Sequence, residues 1–268
     1  MEDKKVAIVT GGASGIGKAL CMELSRQGAA VIIADINEEE GMAAQTSIPH
    51  STFVYCDVTD FSSIEQIING VCTEYGKLDY LFNNAGVALY GEFSDMNLEH
   101  WKKTMNVNVW GVIHGTQIAY AIMKKQGFGH IANTASAAGL GPSPVSAVYS
   151  ATKHTVVGLT TSLHYEAEAF GVKVTTLCPA FVDTPILSKA EAVNLDKTII
   201  MEQFKKQKMM SPEKFAKIAL RGIHRNKPII CPMPLRKTLD IFFTLFPGAH
   251  TSLMRLVCKV SRKARISA

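Results

Sequence analysis

Short, uninterrupted apolar runs alternate with longer segments of helical periodicity along most of this chain, and that rhythm leaves few folds open to it. Residues 6–10, 31–34, 52–56, 78–82, 130–134 and 172–177 read as strands, with 229–231 as a last edge strand. Residues 17–27, 38–46, 64–75, 98–126 and 147–170 read as helices, and glycines at 28, 76, 127 and 171 mark their ends. Asn97 is placed to cap the helix over 98–126, and Ser211-Pro212-Glu213 opens another. Strands that are apolar throughout are covered on both faces, and regular strand–helix alternation gives a parallel sheet between two helical layers. The expected fold class is therefore α/β, a doubly wound parallel sheet in a single domain.

Composition agrees with a large core. Of 268 residues, 47% are hydrophobic and 19% charged, which argues against disorder. The net charge of +5 is uneven, because seven of the 28 Lys/Arg but only one of the 23 Asp/Glu lie from Arg236 onward. The body is close to neutral, so no nucleic-acid partner is expected. Six cysteines show no CxxC pair and no zinc spacing; they read as small buried hydrophobes in a reduced, intracellular, cytoplasmic protein, and no metal is expected. The N-terminal apolar run ends in glycines and does not read as a signal peptide, and no stretch reaches the roughly 18 apolar residues of a simple spanning helix.

Thr10-Gly11-Gly12-Ala13-Ser14-Gly15-Ile16-Gly17 follows the first strand and opens a helix. Glycines there let the backbone turn tightly and approach a pyrophosphate, which the helix N-terminus attracts. An ordinary glycine-rich turn would look the same in isolation. Asp35, closing the second strand, adds a carboxylate able to bind ribose hydroxyls and repel a 2′-phosphate, although a solvated strand-end acid is the alternative. No Arg or Lys stands at 14 or 36, so the dinucleotide expected is NAD rather than NADP. This combination reads as the phosphate-binding end of a Rossmann-type fold.

Tyr149 and Lys153 lie four apart at the start of a helix and share a face. A cation so placed is expected to stabilise phenolate and pull the tyrosine pKa toward working pH; a surface pair has the same spacing. With Asn83-Asn84-Ala85-Gly86, Asn108-Val109-Trp110-Gly111 and Ser136 thirteen residues before Tyr149, the chain over about residues 4–230 resembles the short-chain dehydrogenase/reductase family, in its shorter, single-domain branch. The resemblance implies Tyr149 as general base in alcohol oxidation and general acid in ketone reduction, with Ser136 holding the substrate oxygen. It implies Lys153 on the nicotinamide ribose and Asn108 holding a water that relays protons. For the cofactor it implies Gly11, Ser14, Gly15, Ile16 and Gly17 at the phosphates, Asp57 and Val58 around the adenine, and Asn84, Ala85 and Gly86 along the cleft. Pro179-Ala180-Phe181-Val182-Asp183-Thr184 resembles the family's PGxxxT, with Ala180 in place of glycine; Pro179, Val182 and Thr184 then face the nicotinamide.

Loops after the strands carry apolar residues and no cation, so a lipophilic alcohol or ketone is the expected substrate. Ser136, Leu140, Val145, Tyr149, Phe181 and Leu187 are the candidate contacts, with residues 184–210 as the substrate loop. The body spans 1–235. The tail, 236–268, mixes apolar and basic residues and suits a helix lying on an anionic membrane surface, covering the pocket, or packing on a partner subunit. A homodimer or homotetramer is expected. A non-catalytic NAD(H)-binding sensor or scaffold is the alternative, disfavoured because a pure binder would not need Asn108, Ser136, Tyr149 and Lys153 together. Hydrolase motifs are absent.

Overall fold

The computed structural model describes residues 4–205, 207–234 and 236–266. Strand β1 (Val6–Thr10) runs through the glycine turn into α1 (Gly15–Arg26). Next come β2 (Ala30–Asp35), α2 (Glu38–Ser47), β3 (Ser51–Tyr55) and α3 (Phe61–Tyr75). β4 (Tyr80–Asn83) leads to the short β5 (Leu89–Tyr90), α4 (Leu98–Met105), a π turn over Asn106–Trp110, and α5 (Gly111–Gln126). β6 (Gly129–Thr134), α6 (Ala147–Glu168) and β7 (Val172–Leu177) follow. The last part holds α7 (Pro185–Lys189), β8 (Glu191–Ala192), α8 (Lys197–Lys205), α9 (Pro212–His224), β9 (Ile229–Ile230), α10 (Arg236–Leu245) and α11 (Pro247–Ser261).

Seven strands form one parallel sheet in the order β3-β2-β1-β4-β6-β7-β9, the doubly wound Rossmann-type arrangement. The chain winds outward from β1 to β3, then returns to lay β4 against β1. That reversal opens a crevice beyond the carboxyl ends of β1 and β4, where such folds take their ligands. Side chains of a single strand divide between two cores. Ala7, Val9, Val31 and Ile33 pack with Leu20 and Leu24 of α1 and Phe215 and Leu220 of α9. Val6, Ile8, Ile32 and Ala34 pack with Ile64 and Ile68 of α3 and Ile118 and Met123 of α5. Both faces are dry, which is why the strands show no polar alternation.

The helix expected over 98–126 is divided by the π turn into α4 and α5, and Asn97 caps it by accepting from Glu99 N and His100 N. Residues 183–210, aperiodic in sequence, fold into α7, β8 and α8, and β8 pairs in parallel with β5. The tail folds into two helices bent by 107°. Its far end returns to this excursion: Asp196 N donates to Ala264 O (2.7 Å) and Ile266 N to Asn194 O (3.1 Å). Arg262 Nε donates to Glu92 Oε1 (2.6 Å) and Arg265 Nη1 to Glu92 Oε2 (3.2 Å). Among the described residues no single helix is long and apolar enough to cross a membrane.

Candidate active site

A cavity of about 960 Å³ occupies the crevice, near the top of the range of roughly 300–1,000 Å³ typical of ligand sites. Its floor begins at the glycine turn. Gly11 (φ +62°) and Gly15 (φ +51°) take backbone conformations that side chains strain. A Cβ on Gly17 would fall 2.0 Å from Gly11 O, so α1 can close on the turn only with glycine there. Gly17 therefore packs behind the wall, whereas Gly11, Ser14, Gly15 and Ile16 line it. At the end of β2, Asp35 accepts from Ala13 N and Asn37 N, both at 3.0 Å, one on each carboxylate oxygen. Each oxygen retains acceptor capacity for a further donor. Asp57, Val58, Asn84, Ala85 and Gly86 continue the wall. Asn84 holds β4 to the turn, donating through Nδ2 to Thr10 O (3.2 Å) and Gly11 O (3.3 Å).

The other half of the cavity gathers Ser136, Tyr149, Lys153, Pro179, Val182, Thr184, Phe181 and Leu187. The Ser136 hydroxyl stands beside the Tyr149 phenol and pulls its pKa down, while donating to Pro179 O at 3.5 Å and accepting from Ala138 N at 3.2 Å. Lys153 Nζ, on the same face of α6, lies 5.7 Å from the Tyr149 ring centroid and donates to Thr134 O at 2.9 Å. Burial pushes the ammonium down to about 8. Here the sequence expectation needs correction: the phenol stands above its ordinary pKa, because desolvation outweighs the downward pull of Ser136. The ammonium spends its hydrogen bond on a carbonyl and is itself destabilised by burial, and desolvation is the larger effect at the phenol. Asn108 is fully buried and does not reach the cavity. Its Oδ1 accepts from Val87 N and its Nδ2 donates to Val87 O, both at 2.9 Å, clamping the loop after β4.

Two expected substrate contacts lie elsewhere. Leu140 packs on Val112, Ala135, Val156 and Cys178, and neither it nor Val145 lines the cavity. Val145 stands at φ +60°, a costly conformation for a β-branched residue, and its carbonyl accepts from Gly91 N at 2.9 Å. Residues that motif reasoning missed fill their places. Met233, just before the tail, and Leu253 and Met254 within it line the cavity, and Glu40 and Lys189 line it at the Asp35 end. Lys189 corrects the expectation of a cation-free wall; its Nζ is held by Glu40 Oε1 at 2.9 Å. No local pattern singles these residues out, since they meet only when α7 and α11 fold over the crevice.

A family model described as short chain dehydrogenase matches residues 5–194. The chain belongs to the short-chain dehydrogenase family. Among relatives, it is 37% identical over 207 residues to an uncharacterised oxidoreductase of Staphylococcus epidermidis, a match covering 74% of this chain and 90% of that protein. It is 39% identical over 198 residues to the 15-hydroxyprostaglandin dehydrogenase (NAD(+)) of Mus musculus, covering 70% and 71%. A mitochondrial borneol dehydrogenase of Lavandula x intermedia is 39% identical over 184 residues, covering 68% and 71%. A short-chain dehydrogenase/reductase from Burkholderia phymatum in complex with NAD superposes with TM-score 0.82 at 29% identity, covering 89% of this chain and 92% of that one. ElxO with NADP bound gives TM-score 0.75 at 28% identity, covering 85% and 96%. This short-chain dehydrogenase is thus an oxidoreductase dependent on a nicotinamide dinucleotide. The glycine cradle, the carboxylate at the end of β2 and the cavity volume fit such a cofactor.

Proposed function

We propose that this enzyme interconverts a lipophilic secondary or primary alcohol and its ketone or aldehyde, with NAD as its dinucleotide and Tyr149 handling the proton. The observation that carries the proposal is the Tyr149 phenol, beside Ser136 and Lys153 in the same largely apolar cavity as the glycine turn and Asp35. Bound NAD supplies the hydride chemistry; the chain positions the carbon and moves one proton.

Gly11, Ser14, Gly15 and Ile16, with the N-terminus of α1, would hold the pyrophosphate. Asp35 would take the adenosine ribose, Asp57 and Val58 the adenine, and Asn84, Ala85 and Gly86 the middle of the dinucleotide. Pro179, Val182 and Thr184 would face the nicotinamide, and Lys153 its ribose. Ser136 and Tyr149 orient the substrate oxygen. A phenol above its ordinary pKa is protonated at neutral pH, ready to donate to a ketone oxygen as an alcohol forms. In the reverse direction it must accept that proton, which requires positive charge nearby; Lys153 and the oxidised cofactor are the candidate sources. Asn108 fixes the loop beside Lys153, and the π turn, by shifting the backbone ladder, supports a water-borne relay there. Phe181, Leu187, Tyr90, Met233, Leu253 and Met254 give the substrate end its apolar character.

Asp35 and Glu40 at the ribose end favour NAD, since a 2′-phosphate would meet two carboxylates and Lys189 beside them is already paired with Glu40. Exposed Trp110 and Tyr165 support a homodimer or homotetramer built across the long helices. Six free thiols support a reducing, intracellular setting.

Tyr149→Phe removes only the phenol oxygen. NADH binding, read by fluorescence, should stay within about twofold, while oxidation of secondary alcohols falls about 10³-fold. Undiminished turnover would exclude the proton transfer and leave a dinucleotide-binding protein. Asp35→Ala should weaken NADH binding about tenfold and narrow the NADH/NADPH affinity ratio; an unchanged ratio would remove Asp35 from the ribose.

A further inference from the structure

α10 and α11 expose a run of large apolar side chains. Ile241, Leu245, Phe246 and Leu256 are 62%, 68%, 55% and 57% exposed, far from the near-zero values of the core. Isolated exposed hydrophobes are ordinary on a protein surface, but a cluster of this kind marks a contact surface. Aromatic rings collect at the bend, where Phe242 and Phe246 stand 5.1 Å apart. α11 contains no acid, and Arg255 and Lys259 are exposed along it; the single acid of α10, Asp240, is paired with Arg236. Neither helix alone is long and apolar enough to cross a bilayer; together they have the length and composition for it, but only as a pair bent by 107°.

We propose that α10 and α11 form a strap that lies on an anionic lipid bilayer and passes lipophilic substrate between that bilayer and the cavity. Apolar side chains with cations among them match an acyl boundary beneath anionic headgroups. A second copy of this chain matches less well, since a two-fold contact would bring together two copies of α11, which carries Arg255 and Lys259 and no acid to offset them. The strap is also tied to the site. Leu253 and Met254 of α11, with Met233 just before α10, line the cavity, so one helix touches both the pocket and the outer apolar surface. Both ends are fastened, at β9 and by the bonds of Ala264 and Ile266 to residues 194–196, so the strap flanks the mouth in a defined position. Docking stands without the enzymatic reading; delivery of substrate rests on it.

Flotation of the full chain tests docking, using vesicles of phosphatidylcholine alone and of phosphatidylcholine with phosphatidylglycerol, at low and high salt. The chain should float with the anionic vesicles and lose most of that binding in high salt. Leu245→Glu/Phe246→Glu, which touches neither cavity nor core, should cut the bound fraction at least about tenfold, with melting temperature and NADH affinity unchanged. A wild-type chain that stays at the bottom with both vesicles, or a double variant that floats equally well, overturns docking. A lipid-free dimer that the double variant turns into monomers assigns the surface to a second copy instead. For delivery, turnover of a long-chain alcohol carried in anionic vesicles should fall at least about tenfold in the variant, while turnover of dissolved cyclohexanol is preserved. Parallel behaviour of the two alcohols overturns delivery and leaves docking intact. Turnover of neither alcohol by the wild type overturns the enzymatic reading, and delivery with it, without altering the flotation result.

Discussion

His130 and Lys153 are both buried titratable residues of the sheet–helix interior, and burial acts on them in the same direction. His130 sits in β6 with Nε2 2.8 Å from Thr175 Oγ1, whose own proton goes to Lys227 O at 2.9 Å. Burial, reinforced by the nearby Lys173, holds it down at about 3 from an ordinary 6.5, so the folded protein keeps it neutral. Below about pH 6.5 the unfolded chain gains a proton that the folded chain refuses, and stability falls with falling pH toward about pH 3. Urea melts should show a loss of about 2 kcal/mol from this residue between about pH 7 and about pH 5. His130→Gln should reduce that difference, and an equal pH dependence in the variant would assign it to other groups. For Lys153 and Tyr149 the sequence made the pairing legible through four-residue spacing. The direction of the Tyr149 shift was not legible, because desolvation depends on what the rest of the chain places around the phenol.

At the level of elements, the interruption between α4 and α5 carries Asn108, which bonds the loop after β4 at Val87. The sequence shows an amphipathic helix over 98–126 and an NxxG pattern; a π turn has no periodicity of its own by which to be read. Once formed, it is held from both sides. Gly111 approaches Val58 so closely that a Cβ would meet Val58 Cγ2 at 2.8 Å, and Asn108 Nδ2 reaches Thr152 Oγ1 of α6 at 3.2 Å. Asn108→Ala would leave Val87 N and Val87 O without these partners inside the fold, costing about 2–4 kcal/mol in denaturant melts. NADH affinity should fall with it as the loop after β4 loosens. A stability loss with unchanged NADH affinity would show that the clamp serves the fold alone. Buried Asn133 makes a similar tie elsewhere, accepting from Asn83 Nδ2 (2.8 Å) and donating to Thr160 Oγ1 (3.1 Å), which joins β4, β6 and α6.

Across the whole molecule, two long excursions close over one end of the sheet. The tail is fastened at Glu92, just after β5, which accepts from Arg262 and Arg265, while Arg265 also lies 3.5 Å from Asp95; residues 183–210 meet the same strand through β8. Ion pairs with arginines this exposed contribute little, so Glu92→Gln should raise local opening of the tail only about fivefold. Faster trypsin cleavage after Lys259, Arg262 and Arg265, with an unchanged global melt, is the expected readout. Equal cleavage rates would mean that the backbone bonds at 194–196 hold the tail by themselves.

The sequence alone determined the strand–helix alternation, the parallel sheet, the glycine turn with Asp35, and the ordered set Asn108, Ser136, Tyr149 and Lys153. Each of these is written in local spacing, where short-range backbone geometry and side-chain type suffice. Only the tertiary structure decided that Leu140 and Val145 turn away from the cavity and that Glu40, Lys189, Met233, Leu253 and Met254 line it. The physical reason is distance along the chain. Those residues acquire their surroundings from segments up to some two hundred positions away, whose docking depends on which surfaces remain unburied after the sheet has formed.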